Sequence, residues 1–369
     1  MFQITDDTID SGTLVTGVKN PAVLARAVEA RRLFESAING SLSAKAKVAE
    51  TMTTSDFPIL LGVAYARELQ TEYAGISPVW QKFAKRITAP NFKERSLVDL
   101  LGGMAGLEVV PEAHEYPARN LTESERKFKL RKRGARIPLT WEMMLNDDLG
   151  AYRDLPVRLA TAARETEDIS AADALLNAAR SDVSTDFFKA ANGNAPTALP
   201  LTAANLKTAL DAITGRTSDD GRPVTFGTAK PILVVPQALS STAKSILEAR
   251  EVRTVDGSTT TVTTNTLADQ VELVVNPWLD LRNSNAKRAT TWFILPAPTA
   301  PRVAVAVAFL AGRESPDLRV KSDAGQRPGG GIISPEEGSF NDDTIQYRVR
   351  HVVEGAMFDP KLTYVSRGS

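Results

Sequence analysis

The stretch Leu139–Arg180, LTWEMMLNDDLGAYRDLPVRLATAARETEDISAADALLNAAR, decides how the rest of the chain is read. Between Tyr152 and Ala179 the apolar or small residues Tyr152, Leu155, Leu159, Ala162, Ala163, Thr166, Ile169, Ala172, Leu175, Leu176 and Ala179 recur at steps of three and four. That spacing lays one apolar stripe along a long helix. Its expected core is Leu155, Leu159, Ala163, Ile169, Leu175 and Leu176, while Arg158, Arg164, Glu165, Glu167 and Asp168 fall on the face expected to stay wet. Asn146, Asp147 and Asp148 mark the start, because their side chains accept hydrogen bonds from free amides and their charges suit the positive end of the helix dipole. Pro156 either opens the helix in its first turn or kinks a longer one.

The chain around this helix has 369 residues, 43% of them hydrophobic, enough for two or more domains with a real core. Its 44 basic and 44 acidic side chains cancel, so no global field draws it to nucleic acid or to an acidic membrane, and nucleic-acid affinity would need a local patch. The absence of cysteine excludes disulfides, thiol catalysis and thiolate zinc sites, and fits a reducing cytoplasm. The N-terminus MFQITDDTID is acidic and lacks a basic segment followed by an apolar run, and no later stretch approaches a membrane span. Neither secretion nor a membrane partner is expected.

Upstream, Pro21 starts an alanine-rich helical pattern that runs to about Ile38 and stops at Asn39 and Gly40; a weaker one follows from Ser41 to Met52. Such an arm needs a partner, either within its own subunit or on a neighbour. Phe57 to Lys85 reads as another helix, interrupted at Gly75 and Pro78, with Trp80 and Phe83 as anchors. From residue 86 to 140, strand-like stretches at Ile87, Leu97–Leu101 and Leu107–Val110 lead to the polar tip EAHEYPARNLTESER and return as KFKLRKRGARIPLTW. This reads as one long two-stranded excursion. A protruding hairpin has no second layer against which to bury a face, so it also calls for a neighbour.

Downstream, LTAANLKTALDAITGR and ALSSTAKSILEAREV read as helices, PILVVP, VELVVNP and WFILPAP as strands, and STTTVTTNT as a ribbon. The alternation argues a compact mixed α/β domain from about residue 201 to 300. The remainder, VAVAVAFLAG, DLRVKSD and TIQYRVRHVVEGAMFDPKLTYV, is strand-rich and split by the loop-like GQRPGGGIISPEEGSFNDD.

No catalytic constellation emerges. His114 and Glu115 begin an HExxH, but Ala118 replaces its second histidine and Pro117 breaks the helix it needs. His351 sits in the alternating YRVRHVVEG, where a structural role is expected. No nucleophile elbow, phosphate loop, dinucleotide fingerprint or calcium loop is present, and no metal or cofactor is expected. The unusual feature is a basic cluster without an acid: Arg126, Lys127, Lys129, Arg131, Lys132, Arg133 and Arg136. It is open to three readings, a solvated face, a nucleic-acid contact, and a contact with the acidic surface of a neighbouring subunit. Only Phe128 accompanies it as an aromatic, which disfavours single-strand stacking. The neighbour is favoured because the hairpin already needs one; Glu108, Glu112 and Glu115, with Glu123 and Glu125, are candidate acids for that contact.

The order of these pieces resembles the major capsid protein of tailed bacteriophages with the Hong Kong ninety-seven type fold, and within it the Mu-like major head subunit group. The similarity is sharpest at WEMMLNDDLGAYRDLPVRLATAARETEDISAADALL and weaker at PILVVPQAL, VELVVNPWL, WFILPAP and YRVRHVVEGAMFDP. The resemblance implies an α+β fold with an N-terminal arm (1–56), a helical peripheral segment (57–97) and an extended loop (98–140). It further implies a peripheral domain with the spine helix (141–198), an axial α/β domain (199–300) and C-terminal peripheral strands (301–369). It implies a structural, non-enzymatic subunit that forms pentamers and hexamers around double-stranded DNA in a virion assembled in the bacterial cytoplasm. Portal and scaffolding proteins are implied partners, with a decoration protein as a further candidate. An encapsulin-type nanocompartment shares the implied fold and stands as the alternative, with an enzyme behind it.

Overall fold

The computed structural model describes residues 21–38, 41, 43–44, 47, 56–101, 122–140, 154–217, 223–249, 251–256, 259–321, 325–326, 332–333 and 344–368. They form two compact units that interleave along the sequence. Described residues within Met1–Ser77, Arg131–Glu165 and Ala311–Val352 make the first; those within Pro78–Leu130, Thr166–Leu310 and Val353–Ser369 make the second.

In the first unit, helix α1 (Pro21–Ile38) buries Ala27, Ala30, Phe34 and Ala37, one face at helical spacing, against α2 (Asp56–Gly75). Phe34 meets Tyr65 edge-on, and the Arg31 guanidinium lies 5.0 Å from the Tyr65 ring centre while pairing with Glu35 and Glu68, each at 2.7 Å. The arm helix therefore has its apolar face covered within its own subunit. Strand β4 (Lys132–Thr140) pairs antiparallel with residues 344–352 of β14 (Thr344–Met357), which on its other edge pairs with β11 (Asp317–Lys321). Leu318, Val320 and Tyr347 point from this sheet into a core shared with α2 and with Leu155 and Leu159 of α3 (Leu155–Leu175).

In the second unit, Trp80, on a short 3-10 turn at Val79–Lys82, and Phe83, which follows it, anchor a core with Ala171, Ala172 and Leu175 of α3. Strand β1 (Lys85–Ala89) runs parallel to β10 (Val305–Leu310), which pairs antiparallel with residues 353–357 of β14. Gly355 lets β14 touch α3: a Cβ there would overlap the Ser170 carbonyl oxygen and lie 2.9 Å from the Ala174 Cβ. A second sheet has the order β15–β9–β5–β8, formed by Tyr364–Ser366, Trp292–Leu295, Ile232–Val235 and Glu272–Val275. Its central strands are buried along their whole length, as continuous apolar runs such as ILVV and WFIL require. Helices α4 (Ala203–Thr214) and α5 (Ser240–Glu248) pack Leu206, Ala209, Ile213, Ala243 and Leu247 onto it, and the Thr202 hydroxyl caps α4 by accepting from Asn205 N–H. The threonine-rich ribbon is the hairpin β6–β7 (Glu251–Asp256, Thr259–Thr264).

Four sequence expectations need correction. The α3 face expected to be wet is only partly so: Arg158 and Glu165 are exposed, but Glu167 and Asp168 are buried. The Trp80 indole N–H donates to Glu167 Oε2 at 2.9 Å and the Trp80 backbone N–H to Asp168 Oδ1 at 2.7 Å, so both carboxylates are covered because they have partners. On the stripe, Leu155, Leu159, Ala163, Leu175 and Leu176 are buried, whereas Ile169 is only half-buried and Ala162 and Ala179 are exposed. The limb returning from the excursion is divided: β2 (Arg95–Leu101) pairs with β3 (Thr122–Phe128), while β4 joins β14 instead of extending that hairpin. Finally, the closing strand Tyr364–Ser366 adds to β9 of the α/β sheet and not to the strands that precede it, with Tyr364 packed on Trp292 at 5.5 Å between ring centres. Pro156 occupies the first turn of α3, the first of the two expected placements; Asn146, Asp147 and Asp148 lie outside the described residues. Among the described residues no helix is long and apolar enough to cross a membrane, and no group of three metal-ligating side chains occurs.

Candidate interaction surface

The sheet formed by β4, β11 and residues 344–352 of β14 has two chemically different faces, and strand alternation assigns each residue to one of them. One face carries Ile137, Tyr347, Val349, Leu318 and Val320 and is turned to the core. The register places Lys132, Gly134, Arg136 and Pro138 of β4, Gln346, Arg348, Arg350 and Val352 of β14, and Asp317, Arg319 and Lys321 of β11 on the other. Arg136 stands directly opposite Arg348, which stands directly opposite Arg319 on the far strand. Like charges so placed repel, and a sheet keeps them only where another requirement outweighs that cost.

Asp317 is the one acid at these register positions. Its carboxylate takes a two-pronged contact from Arg350, Nε to Oδ1 at 3.0 Å and Nη2 to Oδ2 at 2.5 Å, with Arg319 at 3.5 Å and Arg313 at 3.6 Å. Among the described residues, Arg136 reaches the Gln346 amide oxygen, at 3.4 Å. Lys132, Gly134, Arg136 and Arg348 are exposed. Together with Arg133, Ala135, Val349 and Arg350 they line a cavity of about 350 Å³. Gly134 is among the lining residues, and a Cβ there would overlap the Val349 carbonyl oxygen.

The sequence-predicted basic cluster is therefore not one patch. Arg126 and Lys127 stand on β3 opposite Leu97 and Ser96, Lys129 and Arg131 lie in the connection, and Lys132, Arg133 and Arg136 belong to β4. Arg133 alternates toward the core side, not the cationic face. Glu108, Glu112 and Glu115 lie outside the described residues, as does His114. His351 is buried with its ring 5.9 Å from that of Tyr73, a structural setting. Sequence reasoning missed Arg319, Arg348 and Arg350, which are distant in sequence and meet β4 only through the register; the alternation in YRVR was the available signal. It also missed Arg164, which donates twice to the Tyr73 carbonyl oxygen, at 2.7 and 3.0 Å, and stacks 3.6 Å above that ring.

A family model described as phage capsid protein matches residues 122–366, two thirds of the chain. Comparison with curated proteins finds no match. Among solved structures, the chain is similar to the capsid of a native GTA particle, with 11% identity, 77% of this chain and 87% of the other covered, and a TM-score of 0.46. It is similar to a Gordonia phage Cozz structure at 11% identity, covering 79% and 85% of the two chains, with a TM-score of 0.45. It is also similar to the encapsulin of the SrpI complex from Synechococcus elongatus at 10% identity, covering 79% and 88%, with a TM-score of 0.44.

Proposed function

This chain belongs to the phage capsid protein family, and from that premise we propose that its copies assemble as pentamers and hexamers into an icosahedral bacteriophage head enclosing double-stranded DNA. The observation that carries the reading is the span of the family match, which includes the returning hairpin strand, α3, and every strand of the two large sheets except β1. The subunit works mechanically and performs no catalysis. It assembles in the bacterial cytoplasm together with portal and scaffolding proteins, and a decoration protein is a further candidate partner. Its N-terminal arm, extended loop, peripheral domain and axial domain are the working parts, and the Mu-like major head subunit group is the type to which we assign it.

The intersubunit contact falls to the hairpin half of the basic cluster, Arg126, Lys127 and Lys129, set against acids of a neighbour's hairpin such as Glu123 and Glu125. Charge pairing of this kind sets register and steers encounter more than it adds affinity. Nuclease protection on purified particles tests the reading. Closed particles holding nuclease-resistant duplex DNA are expected; particles holding protein cargo without DNA would mean an encapsulin, and no particles at all would overturn the shell.

A further inference from the structure

The cationic sheet face is more than a solvated surface. Its exposed members, Lys132, Arg136 and Arg348, line one cavity beside Arg350, and the facing Arg136–Arg348 pair carries a repulsion between like charges. The chain as a whole is neutral, so this concentration is local and offset by acids elsewhere.

We propose that this face is a binding surface for the phosphate backbone of duplex DNA, with a phosphate seated in the cavity between Lys132, Arg136 and Arg348. This rests on the reading of the chain as a subunit of a DNA-filled head, and names the surface that meets the DNA. Three physical arguments select this occupant. A sheet sets alternate side chains about 7 Å apart along a strand and neighbouring strands about 4.8 Å apart, so the guanidinium groups form a flat lattice of positive charge. Duplex DNA presents one negative charge per about 1.7 Å of axis, which compensates such a lattice more densely than the alternating carboxylates of an acidic protein strand. Arginine forks match phosphate oxygens in pairs, and the face offers backbone contacts with no groove-reading element, so binding is independent of sequence. Asp317 does not oppose this, because its charge is already taken by Arg350.

The test uses the full chain as unassembled subunits, a labelled random-sequence duplex of about 30 base pairs, and anisotropy titrations from low to moderate salt. K132Q/R136Q/R348Q leaves the Arg350–Asp317 pair intact, and K207Q/K244Q, on exposed positions of α4 and α5, serves as the control. Wild type is expected to bind with an affinity that falls steeply with salt. The triple variant is expected to bind at least about tenfold more weakly, with the logarithmic salt slope reduced by roughly two to three, while the control matches wild type. Melting temperature reports folding, and relief of the Arg136–Arg348 repulsion predicts a triple variant no less stable than wild type. Absence of DNA binding by wild type, or equal loss in the control, overturns the proposal. So does unchanged DNA binding by a triple variant that no longer forms particles, which would assign the face to an acidic surface of a second copy. In each of those cases the shell reading stands or falls separately, on whether wild type forms particles.

Discussion

At the scale of the residue, the most informative position is Glu167, a fully buried carboxylate on the helix face that periodicity marks as wet. Because the Trp80 indole depends on it, Glu167→Ala should leave a buried N–H without its acceptor and cost about 1–3 kcal/mol beyond the lost packing. Glu167→Gln keeps an acceptor and should cost much less; equal losses in urea melts would show that the hydrogen bond is irrelevant. Glu68 supplies a pH-dependent check. Burial pushes its carboxyl above the ordinary 4.5, with Arg31 pulling the other way but not far enough. The folded state then holds the proton more tightly than the unfolded chain, so the Glu68 contribution to stability is complete below about pH 4.5 and falls as pH rises through the raised value. Glu68→Gln removes that fall, so its melting temperature should gain on wild type between pH 4 and neutrality, in roughly the window the linkage defines. A gap that is flat or narrows would contradict the assignment. Neither pairing was legible beforehand, because a carboxylate on a helix reads as solvated until its partner on another element is placed.

At the scale of the element, the chain was most legible where one period runs unbroken. The arm helix at Pro21–Ile38 and the strands ILVV and WFIL lie where local pattern puts them. The long helix was legible in its middle, and Leu159 tests that stripe: Leu159→Asp places a charge in the core beside Tyr347 and Val320 and should cost on the order of 3–5 kcal/mol. A soluble variant with unchanged melting would show the stripe to be misassigned. Strand partners were not legible. KFKLRKRGARIPLTW looks continuous, yet β3 pairs with the nearby β2 and β4 with the remote β14, since pairing is chosen by the buried faces that tertiary structure brings together. The division separates two roles within one basic run. Reversing Arg126 and Lys127 to glutamate should impair particle formation while leaving the melting temperature of the subunit within a degree or so of wild type, and unimpaired assembly would reduce that half to a solvated face.

At the scale of the whole molecule, sequence order and spatial order differ. Each compact unit is assembled from three separate stretches, and both α3 and β14 contribute residues to each. Domain boundaries drawn along the chain cannot express this, because a linear reading sees composition change but not the return of a distant strand. What composition does express is narrower: with no cysteine the sequence has no thiol for catalysis or zinc, and it has only two histidines. The central claim, a shell subunit of the phage capsid family, is tested most directly by electron microscopy of the purified full chain across concentration and salt. The account predicts closed particles built from pentamers and hexamers; a monodisperse monomer or dimer under every condition would contradict it.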